Sequence, residues 1–103
     1  MTETLKVVND EAAHRFEIVI EGQTAFAEYS LTEHNLTLPH TVVPDEFEGR
    51  GVGSQLARAA LSFARERGLK VIPTCPFIAA YIEKHPEWHD LAHETWRDRL
   101  GIG

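Results

Sequence analysis

Apolar and polar residues alternate along the first part of the chain, over residues 5–43. A period of two residues is typical of β-strands that bury one face. Glu21-Gly22 provides a turn within this stretch, so we predict consecutive antiparallel strands on either side of it. The side chains predicted to share the buried face are Phe16, Ile18 and Ile20 before the turn, and Ala25, Ala27, Tyr29 and Leu31 after it.

A further strand is predicted after the polar turn at residues 32–35. Its alternation places four side chains on one face: Leu36, Leu38, His40 and Val42. Pro39 interrupts this strand, because proline cannot donate a hydrogen bond to a neighbouring strand and is confined to edges or bulges. We therefore expect a bulge or a splayed edge near His40.

The pattern changes after Pro44, where an acidic connector at residues 45–48, which includes Phe47, leads into a glycine cluster at residues 49–53. Apolar residues then recur at helical spacing over residues 54–67. Gly68 is well placed as the C-terminal cap of this helix, because glycine adopts the left-handed conformation that such caps require.

Two short elements and a tail follow this helix. Residues 69–72 are predicted to form a strand and residues 77–84 a second helix, with Pro76 favoured at its first position. One face of a last helix is predicted to carry Trp88, Leu91, Ala92 and Trp96. The order of elements predicts an α+β fold: a mostly antiparallel sheet, one βαβ crossover that lays the first helix on the sheet, and C-terminal helices.

The composition fits a single small domain over residues 1–103. Hydrophobic residues make up 43% and charged residues 25% of the chain, close to the average of globular proteins. No stretch approaches the roughly 18 apolar residues of a membrane helix, and the start of the chain has no signal-peptide pattern. We therefore expect a cytoplasmic protein without a membrane partner, either a monomer or a weak homodimer.

Charge and cysteine content narrow the classes of function. Ten Lys and Arg against sixteen Asp and Glu give a net charge of −6, which opposes broad contact with nucleic acid. Cys75 is the one cysteine, so an intramolecular disulfide and a thiolate zinc cluster are both excluded. His85, His89 and His93 recur every four residues, but Pro86 breaks the first interval. A surface histidine stripe is therefore preferred, and no metal site is predicted.

The glycine cluster lies where a strand is predicted to turn into a helix. Backbone N–H groups are free at a helix N-terminus, glycine lets phosphate oxygens approach closely, and the helix dipole favours negative charge. The segment is therefore a candidate pyrophosphate cradle, although it lacks the Lys-Ser/Thr ending of a P-loop and the features of a dinucleotide fold. A tight strand-to-helix turn explains the same glycines equally well, so the cluster alone leaves both explanations open.

With its surroundings, this loop resembles motif A of the Gcn5-related N-acetyltransferases, a strand, a Gln/Arg-x-x-Gly-x-Gly/Ala loop, a helix and a following strand. Gly51 and Gly53 match the two small positions, whereas Glu48 stands where Gln or Arg is usual. The strand LPHTVVP and the later segment TCPFIAAYIEKHPEW are similar to the small single-domain members of the family, the YjdJ type. The resemblance covers roughly residues 16–88.

The resemblance implies an acetyltransferase fold that binds acetyl-CoA where two parallel strands splay apart. The pantetheine arm would pair with the backbone of Thr41, Val42 and Val43. The pyrophosphate would lie on the loop residues Gly49, Arg50, Gly51, Val52, Gly53 and Ser54. Arg50 and Arg58 could add charge-assisted contacts to phosphate, and Lys84 could reach the adenosine 3′-phosphate. The two arginines are equally consistent with solvated surface side chains, and the lysine with a partner for the helix dipole.

The resemblance also implies an active-site pair, a cysteine and a histidine that match Cys75 and His40. Both are predicted to flank the same cleft, with Cys75 near the N-terminus of the second helix, where thiols are more reactive. A histidine beside a thiol suits covalent acyl transfer, but direct deprotonation of the amine is the family default and is preferred. The cysteine could instead be a small buried hydrophobe, and the histidine could cap the bulge. Tyr81 would protonate the departing CoA thiolate, or serve only in packing.

The sequence therefore predicts an acetyl-CoA-dependent N-acetyltransferase that acts on a primary amine, either a small amine or a protein lysine. The alternative is a module that binds CoA or acyl-CoA without efficient catalysis, as a sensor or interaction protein. This alternative has weight because the sequence shows none of the N-terminal helices that form the acceptor side of the cleft in full-sized family members. The identity of the acceptor stays open.

Overall fold

Five strands form one sheet, in the order in which they follow one another within residues 6–102, the part of the chain that the computed structural model describes. The strands are β1 Val8–Asp10, β2 Arg15–Ile20, β3 Gln23–Leu31, β4 Asn35–Val42 and β5 Lys70–Ile72. β1 to β4 pair antiparallel, and β5 joins β4 in parallel. The alternating stretch thus forms the predicted antiparallel strands, except that position 5 lies outside the described residues.

The helices are α1 Val52–Arg67, α2 Pro76–Lys84 and α3 Glu94–Leu100, and short 3-10 helices cover Asp45–Phe47 and Pro86–Leu91. α1 connects β4 to β5, which confirms the predicted βαβ unit and the α+β class. The helix ends at Arg67 and is capped by Gly68, whose φ of 67° is the left-handed conformation expected of the cap. Within residues 6–102, no helix combines the length and apolarity that crossing a membrane requires.

The hydrophobic core lies between α1 and the face of the sheet that α1 covers, which we call the inner face. The buried alternation of β2 and β3 was predicted correctly, except that Leu31, at the end of β3, is 46% exposed. The opposite, outer face carries half-buried and exposed side chains, among them Val19 at 67% exposure. Core side chains from both layers include Phe16, Ile18, Ala25, Ala27, Leu36 and Leu38 of the sheet and Leu56, Ala60 and Ala64 of α1.

A β-bulge changes which face the last residues of β4 occupy. The pairs across β3 and β4 are Leu31–Leu36 and Ser30–Thr37 before the register shift, and Glu28–His40, Ala27–Thr41 and Phe26–Val42 after it. Residues directly opposite each other share a face of the sheet. Thr41 therefore lies on the inner face with the buried Ala27, and His40 lies on the outer face with the exposed Glu28.

This arrangement corrects one prediction. His40 and Val42 do not share the face of Leu36 and Leu38, because the extra residue of a bulge reverses the alternation beyond it. The bulge itself was expected, since Pro39 lies within the irregular stretch.

The tail also differs from its prediction, because no single helix carries Trp88, Leu91, Ala92 and Trp96. The 3-10 helix ends at Leu91, and Ala92 forms an isolated parallel bridge with Val71 of β5. The N–H of His93 donates to the carbonyl oxygen of Val71 over 2.9 Å. A backbone N–H that is bonded to a strand cannot also close a helical turn, so α3 starts only after this bridge.

Candidate functional site

The parallel strands β4 and β5 splay apart after a short paired stretch. Their register runs from Asn35 opposite Lys70 to Thr37 opposite Ile72. One further backbone bond, from the N–H of Cys75 to the carbonyl oxygen of Leu38 at 2.9 Å, links the diverging chains. β4 continues to Val42 whereas β5 ends at Ile72, so the last residues of β4 turn an edge toward an opening in the sheet.

A cleft of about 650 Å³ lies at this opening. One wall is the end of β4, another is the turn into α1, and the third is the start of α2. The lining residues are Thr41, Val42, Val43, Phe47, Glu48, Gly49, Gly51, Val52, Gly53, Ser54 and Phe77. Every residue predicted to hold the cofactor lines this cleft except Arg50, Arg58 and Lys84.

The glycine turn exposes backbone groups to the cleft. Gly49 and Gly51 have φ of 83° and 77°, left-handed values at which most side chains would be strained. A Cβ added at either position would meet nothing within 4 Å, so free space lies beside this turn. Gly51 is the N-cap of α1, and the first N–H groups of a helix have no partner within it. The turn can therefore donate several N–H groups to an anion, with the helix dipole in support.

The side chains around this turn are mostly acidic. Glu48 lines the cleft, and the preceding 3-10 helix carries Asp45 and Glu46. Arg50 is the adjacent cation; its Nη1 atom lies 3.7 Å from Glu21 Oε2, and its guanidinium lies 5.2 Å from the centre of the Phe47 ring. Backbone N–H groups rather than a cluster of cations would thus provide most of the attraction for a phosphate.

His40 and Cys75 lie on different faces of β4. The Sγ atom of Cys75 lies 3.5 Å from Thr41 Oγ1, and Thr41 belongs to the inner face. The thiol is 5% exposed and sits at the N-cap of α2, as predicted, without capping the helix through its side chain. His40 is exposed on the outer face, opposite Glu28. The bulge thus places His40 on the face of the sheet opposite to the one on which Thr41 meets Cys75.

Tyr81 and Lys84 lie further along α2. Tyr81 is buried, its ring stacks on His85 with 4.1 Å between ring centres, and its carbonyl oxygen lies 2.7 Å from His85 Nδ1. Tyr81 follows Phe77 by four residues, so it lies on nearly the same side of α2, one turn closer to the C-terminal end of the helix. Lys84 is exposed at the end of α2 that faces away from the cleft.

Two aromatic residues of the cleft were not predicted from the sequence. Phe47 is 3% exposed and anchors the acidic connector in the core, whereas Phe77 is 44% exposed at the second position of α2. An apolar residue within the acidic run was a signal for the first. The local sequence could not assign Phe77 to the cleft, because its ring packs against Gly53, which is distant in sequence.

The three spaced histidines have separate surroundings. His85 stacks on Tyr81, the Nε2 atom of His89 lies 3.2 Å from the carbonyl oxygen of Glu83, and Nδ1 of His93 accepts from the N–H of Thr95. Among residues 6–102, no cluster of three histidine, cysteine or acidic side chains has a geometry that could hold a metal ion.

Comparison with known proteins finds a matching family model and related chains. The family model described as GCN5-related N-acetyl-transferase matches residues 15–91. Protein NATD1 of Gallus gallus is 34% identical over 92 residues, which span 86% of this chain and 84% of the relative. Protein NATD1 of Homo sapiens is 34% identical over 85 residues, which span 80% of this chain and 75% of the relative.

A solved structure agrees with the fold. The NMR solution structure of a GCN5-like protein from Staphylococcus aureus superposes with a TM-score of 0.69 at 31% sequence identity. The match covers 86% of this chain and 88% of the other. Sequence and structure therefore point to the same family.

Proposed function

The chain belongs to the GCN5-related N-acetyltransferase family, and from this premise we propose that it transfers an acetyl group from acetyl-CoA to a primary amine. The observation that carries the proposal is the cleft between the splayed strands, with the glycine turn of α1 at one end. The acceptor is a small amine or a protein lysine. The overall charge of −6 favours a cationic one.

The residues of the cleft fit acetyl-CoA in shape and in chemistry. A volume of about 650 Å³ lies in the range of ligand sites and suits the pantetheine arm with its pyrophosphate. The edge of Thr41 to Val43 offers backbone groups to the amides of the arm, because β5 has already ended there. The space beside Gly49 and Gly51, which a Cβ would enter, suits phosphate oxygens against backbone N–H groups.

Bound acetyl-CoA supplies the thioester, and the protein positions the acceptor and moves protons. We assign the role of general base to His40, which takes a proton from the amine as the new C–N bond forms and the C–S bond breaks. Tyr81 is the proposed donor of a proton to the leaving sulfur. The outer-face position of His40 supports direct transfer, because Cys75 is buried against Thr41 on the inner face. A covalent acyl-cysteine would require the thiol to leave this position.

Two measurements test the proposal in sequence. Acetyl-CoA at about a hundred times its dissociation constant should stabilise the protein by about 2.7 kcal/mol, which for a domain of this size raises the unfolding midpoint by about 10 °C or more. An unchanged midpoint would exclude the cofactor. Candidate amines should then release CoA, and His40→Ala should abolish this release while His34→Ala, a control at an exposed turn, should not.

Substitutions at Cys75 and Tyr81 distinguish the routes of transfer. Direct transfer predicts that Cys75→Ala retains most CoA release, whereas covalent transfer predicts complete loss and an acetylated thiol in the wild type by mass spectrometry. Tyr81→Phe keeps the ring that stacks on His85 and removes the hydroxyl. A loss of turnover with unchanged acetyl-CoA affinity would therefore assign the proton to this hydroxyl.

The second candidate is a module that binds CoA or acyl-CoA without efficient catalysis. The outer face of the sheet favours it, because the strand residues around His40 are half-buried or exposed, as is Glu28 opposite His40. Binding of acetyl-CoA without CoA release from any tested small amine or lysine peptide would support this candidate over the enzyme.

A further inference from the structure

Phe77 is a large apolar side chain that stays open to solvent at the edge of the cleft. It is 44% exposed, although α2 buries Ile78 and Ile82 completely in the core. The residue lies one position after Pro76, so the start of α2 fixes the direction of its Cα–Cβ bond. An exposed aromatic ring that lines a cleft offers apolar surface to a ligand.

Gly53 makes room for this ring. A Cβ added to Gly53 would lie 2.8 Å from Cζ of Phe77, closer than real Cβ atoms approach, and 3.1 Å from Cε2, tighter than most real contacts. Gly53 lies inside α1 and, unlike Gly51, has no left-handed φ, so its backbone conformation does not require glycine. Glycine in a helix costs about 1 kcal/mol relative to alanine. The close contact with Phe77 is thus one reason for glycine at position 53, and the ring lies directly beside the first turn of α1.

This position matches one part of the proposed ligand. Phosphate would bind the N–H groups of the first turn of α1, and the group that follows the pyrophosphate in CoA is pantoate, which carries two methyl groups on one carbon. Phe77 stands beside that turn, and Val43 lines the cleft at the end of β4. We propose that Phe77 and Val43 form an apolar subsite for the pantoate methyl groups, an inference that rests on the proposed function.

With this subsite, the protein would recognise acetyl-CoA more through its pantetheine half than through its nucleotide half. The charged side chain that lines the cleft is Glu48, which repels phosphate, and Lys84 lies at the far end of α2. Apolar contact with the arm would compensate for the weak side-chain electrostatics of the turn. Phe77 should consequently matter for every ligand that contains pantoate and for none that lacks it.

Calorimetric titration of Phe77→Ala with three ligands tests the subsite: acetyl-CoA, 4′-phosphopantetheine and 3′,5′-ADP. The affinity for the first two should fall by about tenfold, whereas that for 3′,5′-ADP, the nucleotide half alone, should stay within about twofold of the wild type. Val19→Ala, which removes an exposed apolar side chain on the outer face, is the matched control and should change none of the three. Phe77→Leu retains an apolar side chain and should lie between the wild type and Phe77→Ala.

The outcomes separate the subsite from the proposed function. A wild-type protein that binds no acetyl-CoA contradicts the function itself. Wild-type binding of acetyl-CoA with unchanged affinity in Phe77→Ala, or an equal loss for 3′,5′-ADP, overturns the subsite alone. Unfolding experiments check the contact without ligand: Gly53→Ala should destabilise the wild type and should be neutral or stabilising in Phe77→Ala, where the ring no longer opposes the methyl group.

Discussion

Gly51 offers a test of the phosphate cradle in which only charge changes. It is the N-cap of α1 with φ 77°, and a Cβ added there would meet nothing within 4 Å. The substitutions Gly51→Asn and Gly51→Asp introduce side chains of nearly equal size, and both residue types tolerate left-handed backbone better than most. Each variant should lose about 1 kcal/mol of folding stability, because a non-glycine residue is strained at this φ. The two variants then differ by one negative charge beside the turn.

The size of the difference follows from Coulomb's law. Two unit charges about 4 Å apart interact by about 1 kcal/mol in water and by about 4 kcal/mol at an effective dielectric constant near 20. The cleft is bounded by protein on three sides and open on the fourth, so an intermediate value of about 2 kcal/mol is expected for a carboxylate at Gly51 beside a phosphate. Acetyl-CoA should therefore bind Gly51→Asp about 30-fold more weakly than Gly51→Asn.

Isothermal titration of the wild type and both variants at low salt measures this ratio, with circular dichroism confirming that each variant is folded. The ratio should shrink as salt is added, because ions screen partly exposed charges. Equal affinities for Gly51→Asn and Gly51→Asp would show that no phosphate binds beside Gly51. The glycine turn would then serve only to connect β4 to α1.

Three further predictions concern stability. The hydrogen bonds from Arg65 lower the pKa of the Asp90 carboxyl, so their contribution to folding stability is present above the ordinary pKa and is lost as pH falls through the lowered value. Because both side chains are largely exposed, Asp90→Asn should cost only about 0.5 kcal/mol in neutral urea melts, and this cost should shrink as pH falls below the ordinary carboxyl pKa. Burial raises the pKa of Tyr29, whose hydroxyl donates to Asn9 Oδ1 over 2.8 Å; Tyr29→Phe should lose about 1 kcal/mol near neutral pH, and the gap should narrow above about pH 10, where only the wild type loses stability through this group. Leu56 is fully buried, so Leu56→Ala should lower the free energy of unfolding by about 2–5 kcal/mol. A loss below about 1 kcal/mol in denaturant unfolding would contradict the packing of α1 on the sheet.

Most of the fold was predictable because its signals are local. The alternation on both sides of Glu21-Gly22 shows directly which side chains β2 and β3 bury, and Gly68 and Pro76 mark the end of one helix and the start of another. The glycine turn could be placed at the N-terminus of α1 for the same reason. These features depend on residues that are close together along the chain.

The errors arise where the structure depends on a contact between distant residues or on a reversal of the strand alternation. Pro39 indicates an irregular strand, but it does not indicate on which side of it the alternation reverses, so the face of His40 could not be read from β4 alone. The break in the tail depends on Val71, which pairs with Ala92 across the fold. The contact of Phe77 with Gly53 is likewise formed only when α1 and α2 pack together.

The bulge places the proposed general base and the residues beside the donor cleft on opposite faces of β4. Thr41 and Cys75 meet on the inner face, beside the cleft that would hold the donor, whereas His40 and Glu28 lie together on the outer face. An acceptor that approaches over the outer face would pass His40 and meet the thioester at the opening between β4 and β5 without displacing the donor. Donor binding and proton removal would then depend on neighbouring residues of one strand that point in opposite directions. Loss of His40 should therefore lower turnover at constant acetyl-CoA affinity, because His40 is not among the residues that line the donor cleft.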